Sequence, residues 1–300
     1  MIGTALLSVA LVFQPVPQGW QPVLPTLRPN LVAHYDFDHP VPGDAAQEKD
    51  QGLSGTNIML VNGGPGMRVR DGANWALQAG QVNPAVRGND DWKAGVYSET
   101  GVPTLTAFNG VRQVSIMGWF KMTGQNPSPN SNSANPDDFY GAIGLAGVLS
   151  GDSDGHAVRG LLELIQVSGQ MRVVALARRV DGSSSQTFAA EQDWQTILPP
   201  GEWVFLAATF DFDSGKMALY KNGRPLTGFY TVPGDPWGVE GPPEPDVTSA
   251  TDPRGIKIGG SFPQNTRENN PCNCRMDSLM FLDRAVHRWE VLAQYLIAKH

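Results

Sequence analysis

The chain has 300 residues, a formal net charge of -7, and 41% hydrophobic against 17% charged residues. That balance supports a sizeable buried core and excludes a disordered chain. No long basic run occurs, which argues against nucleic acid and anionic membrane as partners, since both need clustered Lys and Arg.

Met1 to Phe13 is an apolar run, too short to span a bilayer. Two readings of it stay open. It could be the h-region of a secretory signal, although no Lys or Arg precedes it and Gln14-Pro15-Val16-Pro17-Gln18 replaces a small-residue cleavage site. It could equally be a retained N-terminal strand or arm. Residues 1–30 are therefore expected to form this arm or signal segment, and residues 31–300 a single domain.

From residue 31 to about residue 282, short apolar runs alternate with Gly, Pro, Asn, Asp and Ser clusters, which predicts an antiparallel sandwich. Strands are predicted over 31–38, 57–61, 75–79, 113–122, 142–149, 161–167 and 171–180. Later ones fall at 203–212, 216–221, 255–259 and 274–282. Several carry apolar residues on both faces, such as Val204 to Ala208, so the sheets must be covered. Asp213-Ser214-Gly215 and Asn222-Gly223 supply the positive-φ residues that tight hairpins need. Residues 124–140 and 231–253 lack strand pattern and are expected to be long rim loops. Cys272 and Cys274 lie two apart, near the upper limit for bridging if extended, and are expected as two thiols. Trp289, Leu292, Tyr295 and Leu296 recur at helical spacing, predicting a terminal helix over 286–298 whose stripe packs on the sandwich.

Several segments match a known pattern in the right order. They are Leu31 to Asp38, Asp50 to Asn57 running into Leu60-Val61-Asn62-Gly63, and Val114 to Phe120 with its Trp119. Gly201 to Asp211 with Leu219 to Gly223 follows, then Ile258-Gly259-Gly260 and Met276 to Phe281 with Arg284-Ala285. Together they resemble the laminin-G-like jelly rolls of the concanavalin A-like superfamily. The resemblance implies an all-β fold: an antiparallel two-sheet jelly-roll sandwich with a short C-terminal helix. It also implies a structural Ca2+ held by Asp50, Asn57 and Asp277, with carbonyls near Gly52 and Gly55. The alternative is that Asp50 and Asn57 cap turns and Asp277 bonds to backbone.

Catalysis in this superfamily needs paired carboxylates. The nearest match to the glucanase arrangement, Glu191-Gln192-Asp193-Trp194-Gln195-Thr196, ends in Thr196 where an acid is required. Glu163 stands alone in an apolar strand and is expected to meet an arginine such as Arg159 or Arg172. The five histidines show no metal or triad spacing. The expectation is a non-enzymatic binding module, extracellular or surface-displayed, that recognises a glycan or glycoprotein. Loop aromatics Trp237, Tyr140, Trp92 and Tyr97 are the candidate ligand-binding residues, because aromatic platforms meet the apolar faces of sugar rings. The alternative is a structural subunit of a virion or surface assembly, a homo-oligomer joined through residues 1–25.

Overall fold

The computed structural model describes residues 22–81, 92–124, 142–149, 158–178, 185–232, 254–260 and 271–298. Strands β1 (Leu31–Tyr35), β2 (Pro40–Val41), β3 (Asp44–Glu48), β4 (Ile58–Val61), β5 (Arg68–Asp71) and β6 (Asn74–Gln78) come first. Next are β7 (Lys93–Tyr97), β8 (Gln113–Met122), β9 (Ile143–Leu149), β10 (Val158–Val167), β11 (Gln170–Arg178) and β12 (Ser185–Ala190). A one-turn helix α1 (Trp194–Ile197) leads to β13 (Val204–Asp211), β14 (Lys216–Lys221), β15 (Arg224–Pro225), β16 (Gly228–Tyr230), β17 (Gly255–Ile258), β18 (Cys274–Leu282) and helix α2 (Arg288–Ile297).

These strands form two antiparallel sheets, so the protein is an all-β sandwich with one short C-terminal helix. The eight-stranded sheet runs β15-β14-β13-β8-β18-β6-β5, with β1 also on β18. The ten-stranded sheet runs β16-β12-β11-β10-β9-β17-β7-β4-β3-β2. Most predicted strands appear within a residue or two of their expected bounds. The omitted ones, such as β2, β3, β5, β15 and β16, are short and polar or lie at edges, where alternation is weak. The Asn222-Gly223 hairpin forms as expected, with both residues at positive φ.

Period-two alternation sets the layers. Val114, Ile116, Phe120 and Met122 of β8 and Val204, Leu206, Ala208 and Phe210 of β13 enter the core between the sheets. Their neighbours Met117, Trp119, Phe205 and Ala207 point the other way, into a second cluster on the outer face of the eight-stranded sheet. There Trp119 meets Phe205 edge-on at 5.4 Å and Tyr295 of α2 at 5.8 Å. Val23, Leu27, Val286 and Val291 belong to the same cluster. Residues 22–30, expected as part of an arm, thus belong to the packed body.

Two expectations are corrected. Cys272 and Cys274 are disulfide-bonded, with Cα atoms 5.2 Å apart. The chain bends at Asn273 and β18 starts only at Cys274, so the pair is closer than the roughly 6.7 Å of an extended strand. The stripe on α2 is also not all core. The helix buries Glu290, Val291 and Gln294, while Trp289, Leu292 and Leu296 face outward.

Polar contacts fix α2 in place. Arg284 donates to both oxygens of Glu290, at 2.7 and 2.8 Å, Thr26 Oγ1 donates to Oε1 at 2.8 Å, and the His287 N–H to Oε2 at 3.0 Å. Burial pushes the Glu290 carboxyl up, but the Arg284, His287 and Thr26 donors prevail and hold it down at about 2. A lowered folded-state pKa adds stability above the ordinary value of 4.5, lost as pH falls through about 2. Glu290→Gln should therefore destabilise the protein by on the order of 1–3 kcal/mol at neutral pH. In thermal melts, the gap to wild type should close as pH falls across that window.

Candidate functional site

The outer face of the ten-stranded sheet carries no helix among the described residues. β10 alternates there: Leu162 and Leu164 enter the inter-sheet core, whereas Leu161, Glu163 and Ile165 line a cavity of about 410 Å³ on the outer side. Val158, Leu176, Arg178, Ser185, Thr187, Ala142 and Thr231 complete its walls. An apolar floor and a ring of hydroxyls and charges share one concavity.

Two buried charges of opposite sign lie on this face. Glu163 and Lys257 are each 2% exposed. Glu163 pairs across the ladder with Gly144, and Lys257 with Gly147. A Cβ on Gly144 would stand 3.7 Å from Lys257 Cε, and one on Gly147 would stand 3.5 Å from Lys257 Cγ. The two glycines thus leave the trough in which the lysine stem lies. The pairing skips Leu145, a β-bulge that aims Gly144 and Gly147 to the same side despite their odd spacing. Of the arginines expected beside Glu163, Arg172 donates instead to the Ala190 and Glu191 carbonyls and to Gln170. Arg159 lies 3.6 Å over the Phe212 ring and donates to the Arg178 carbonyl.

Among the proposed ligand residues, Tyr97 packs against the cluster of Leu149, Val158 and Leu161, two of which also line the cavity. Its hydroxyl donates to Glu99 at 2.5 Å, and Glu99 pairs with Arg254 at 3.2 Å. Desolvation and the Glu99 carboxylate raise the Tyr97 pKa, so the phenol stays protonated and keeps its donor. Trp92 lies elsewhere. It packs on the inter-sheet core, with its indole where a Cβ on Gly63 would stand, 2.6 Å away. Trp237 and Tyr140 fall outside the described residues.

Asp50 is buried and closes its own loop. Oδ1 accepts from the N–H groups of His34 and Gly52, each at 2.7 Å, and Oδ2 from Ser54 Oγ at 2.7 Å and the Thr56 N–H at 3.2 Å. Asn57 is exposed and its Oδ1 accepts from the Asp50 N–H at 3.4 Å. Asp277 is fully buried at the bulge of β18, opposite Trp119. With four hydrogens directed at the Asp50 oxygens, this carboxylate fits loop closure better than a calcium ligand.

The described side chains that could group around a cation are Asp36, His39 and Glu48, two of which lie outside every predicted strand. They form a closed network. His39 Nδ1 sits 2.8 Å from Asp36 Oδ1, and Arg68 NH2 lies 2.6 Å from Glu48 Oε2. Burial pushes the Glu48 carboxyl up to about 7, against Arg68 and the His39 N–H, which pull it down. No spacing pattern marks this group, since β2 and β3 fold back through a tight turn to assemble it. A second cavity of about 300 Å³ lies alongside, lined by His34, Asp36, Gln51 and Leu53 among others. Burial lowers the His34 pKa, and its ring meets Ser278 Oγ at 3.1 Å. The near-match to a glucanase motif is structural too: Asp193 caps α1, accepting from the Gln195 N–H at 2.8 Å.

No protein-family model matches this chain, and no curated protein matches it. Its fold is similar to solved structures at low identity. A receptor-binding domain superimposes with a TM-score of 0.51 at 10% identity, over 92% of this chain and 52% of that one. The binding domain of botulinum neurotoxin DC, in complex with rat synaptotagmin II, gives 0.50 at 10% identity, over 91% and 53%. A botulinum neurotoxin type C structure, described by the dependence of cell entry on interaction with two ganglioside molecules, gives 0.50 at 11%, over 92% and 53%. The chain spans about half the length of these structures. At such identity the likeness establishes the fold.

Asp50→Ala strips an acceptor from four donors and should cost about 3 kcal/mol in urea unfolding. Adding a calcium chelator to the wild-type protein should move its melting temperature by less than about 2 °C, whereas loss of a tightly bound ion would lower it further.

Proposed function

We propose that this protein is a non-catalytic binding module of the lectin-like jelly-roll kind. It engages a glycan, free or on a glycoprotein, outside the cell or at a displayed surface, through the outer face of its ten-stranded sheet. The observation that carries the reading is the amphipathic cavity. Leu161, Ile165 and Leu176 offer an apolar floor to the C–H face of a ring, while Glu163, Arg178, Ser185 and Thr187 offer partners for its hydroxyls.

Chain connectivity supports the same place. Ala142 and Thr231 both line the cavity; Tyr140 precedes the first by two residues and Trp237 follows the second by six. Tyr97 packs against the cluster of Leu149, Val158 and Leu161, two of which line the cavity. The lining holds one carboxylate among the described residues, Glu163, whereas glycoside hydrolysis takes two. The type C toxin, whose cell entry is described as dependent on interaction with two ganglioside molecules, has a partner of the glycan kind proposed.

An array of glycans and gangliosides probed with the full chain tests the proposal. Thr187→Trp, which fills the cavity from β12, and Trp237→Ala should each weaken retention at least about tenfold. Leu53→Ser, on the loop closed by Asp50, should leave it unchanged. No retention on any glycan, or retention that both substitutions leave intact, would overturn the reading.

A further inference from the structure

The second cavity, of about 300 Å³, draws its walls from three places. Val23 and Arg28 come from the segment before β1, Leu31, His34 and Asp36 from β1 and its end, and Leu53 from the loop closed by Asp50. Strand alternation makes the polar wall. Ala33, Tyr35 and Phe37 enter the inter-sheet core, so His34 and Asp36, two residues apart, turn to the opposite side. The loop is held fast against them. The N–H groups of Gln51, Leu53 and Ser54 donate to the His34, Leu31 and Val32 carbonyls at 2.9, 2.9 and 2.8 Å. Gly52 lies so close that a Cβ there would stand 2.7 Å from Ala33 Cα. Leu53, 68% exposed, is thus an apolar side chain kept at the rim by a fixed backbone.

Two buried polar side chains keep bonding capacity on this side. His34 is 3% exposed; its Nε2 lies 3.1 Å from Ser278 Oγ, whereas its Nδ1 has no hydrogen-bond partner among the described residues and is not sealed from solvent. Burial lowers the His34 pKa, so the ring is neutral at neutral pH. Asp36, 1% exposed, meets His39 Nδ1 at 2.8 and 2.9 Å and the Asp38 N–H at 3.2 Å. A carboxylate offers about four lone-pair positions, so Asp36 has room for a further donor. Arg28, also in the lining, is exposed and brings a guanidinium. A lone anion entering this space would meet the Asp36 charge, and a lone cation the Arg28 charge. A molecule with one charge of each sign and an apolar body satisfies all the walls at once.

We propose that this cavity binds a small zwitterion, an α-amino acid with an apolar side chain. Its ammonium donates to Asp36 and to His34 Nδ1, an acceptor when Nε2 donates to Ser278. Its carboxylate meets Arg28, and its side chain packs on Val23, Leu31 and Leu53. The volume lies at the lower end of small-ligand pockets, which suits a molecule of that size. The inference is independent of the glycan-binding proposal, which concerns the cavity on the other sheet.

Isothermal titration calorimetry of the full chain tests it with L-leucine, L-valine, L-methionine and L-phenylalanine. At least one should bind with a Kd below about 1 mM. The tightest is then compared with the amine left by removing its carboxylate and the acid left by removing its ammonium, and each should bind at least about tenfold more weakly. Asp36→Asn should weaken the amino acid at least about tenfold and leave the acid unchanged. Arg28→Gln, at an exposed position that the fold does not need, should weaken the amino acid by a similar factor and leave the amine unchanged; thermal melts confirm that each variant is folded. No binding by any of the four amino acids would overturn the proposal. So would analogues that bind as tightly as the amino acid, or an affinity that Arg28→Gln leaves intact.

Discussion

Everything in this fold leans on β18. A nine-residue strand inside a sheet must satisfy backbone groups along both edges, and no single neighbour does so here. β8 takes one edge. The other is divided, with β6 at Arg275 and Met276 and β1 from Leu279 to Leu282. The changeover falls at Ser278, whose φ of 50° marks the bulge that lets two strands share one edge. Because β1 lies near the start of the chain and β18 near its end, this pairing brings both termini of the body together. Pro22 to Leu27 and α2 then cover the same outer face.

That arrangement gives the two sheets different surfaces. The eight-stranded sheet has its outer face closed by Trp119, Phe205 and Tyr295 beneath α2, and Gly223 lets the β14–β15 turn approach the helix, where a Cβ would stand 2.8 Å from Leu292 Cα. The ten-stranded sheet instead keeps a cavity outside β10 and β11, with the Glu163 and Lys257 charges buried in its outer face. Burying a lysine and a carboxylate is costly unless each is compensated. The trough over Gly144 and Gly147 brings the lysine stem to the ladder position beside Glu163. The face proposed for binding thus also carries two buried charges of opposite sign, Glu163 and Lys257.

The carboxylates near β1 to β4 show how the same residues can serve two chemistries. A loop of Asp, Gly, Ser, Thr and Asn supplies the oxygens that a hard cation wants and the acceptors that a tight turn wants. What separates the uses is where the donors lie. In this chain the His34, Gly52 and Thr56 amides and the Ser54 hydroxyl converge on Asp50, and the Arg68 guanidinium converges on Glu48. Each of these two carboxylates thus meets hydrogen-bond donors supplied by the protein itself.

The sequence by itself determined the two-sheet class, most strand positions, the Asn222-Gly223 turn and the terminal helix. Period-two and period-3.6 patterns and positive-φ residues are local, and local sterics enforce them whatever the rest of the chain does. Only the tertiary structure decided which side of α2 is buried, because Trp289, Val291 and Leu292 look alike in a list and differ only by what packs against them. The Cys272–Cys274 bridge depended on a bend at Asn273, and the Glu163–Lys257 face on a bulge that shifts register at Leu145. The Asp36, His39 and Glu48 network depended on strands too short to carry a pattern. Each rests on contacts between residues far apart in sequence or on one irregular backbone step, and neither leaves a periodic trace.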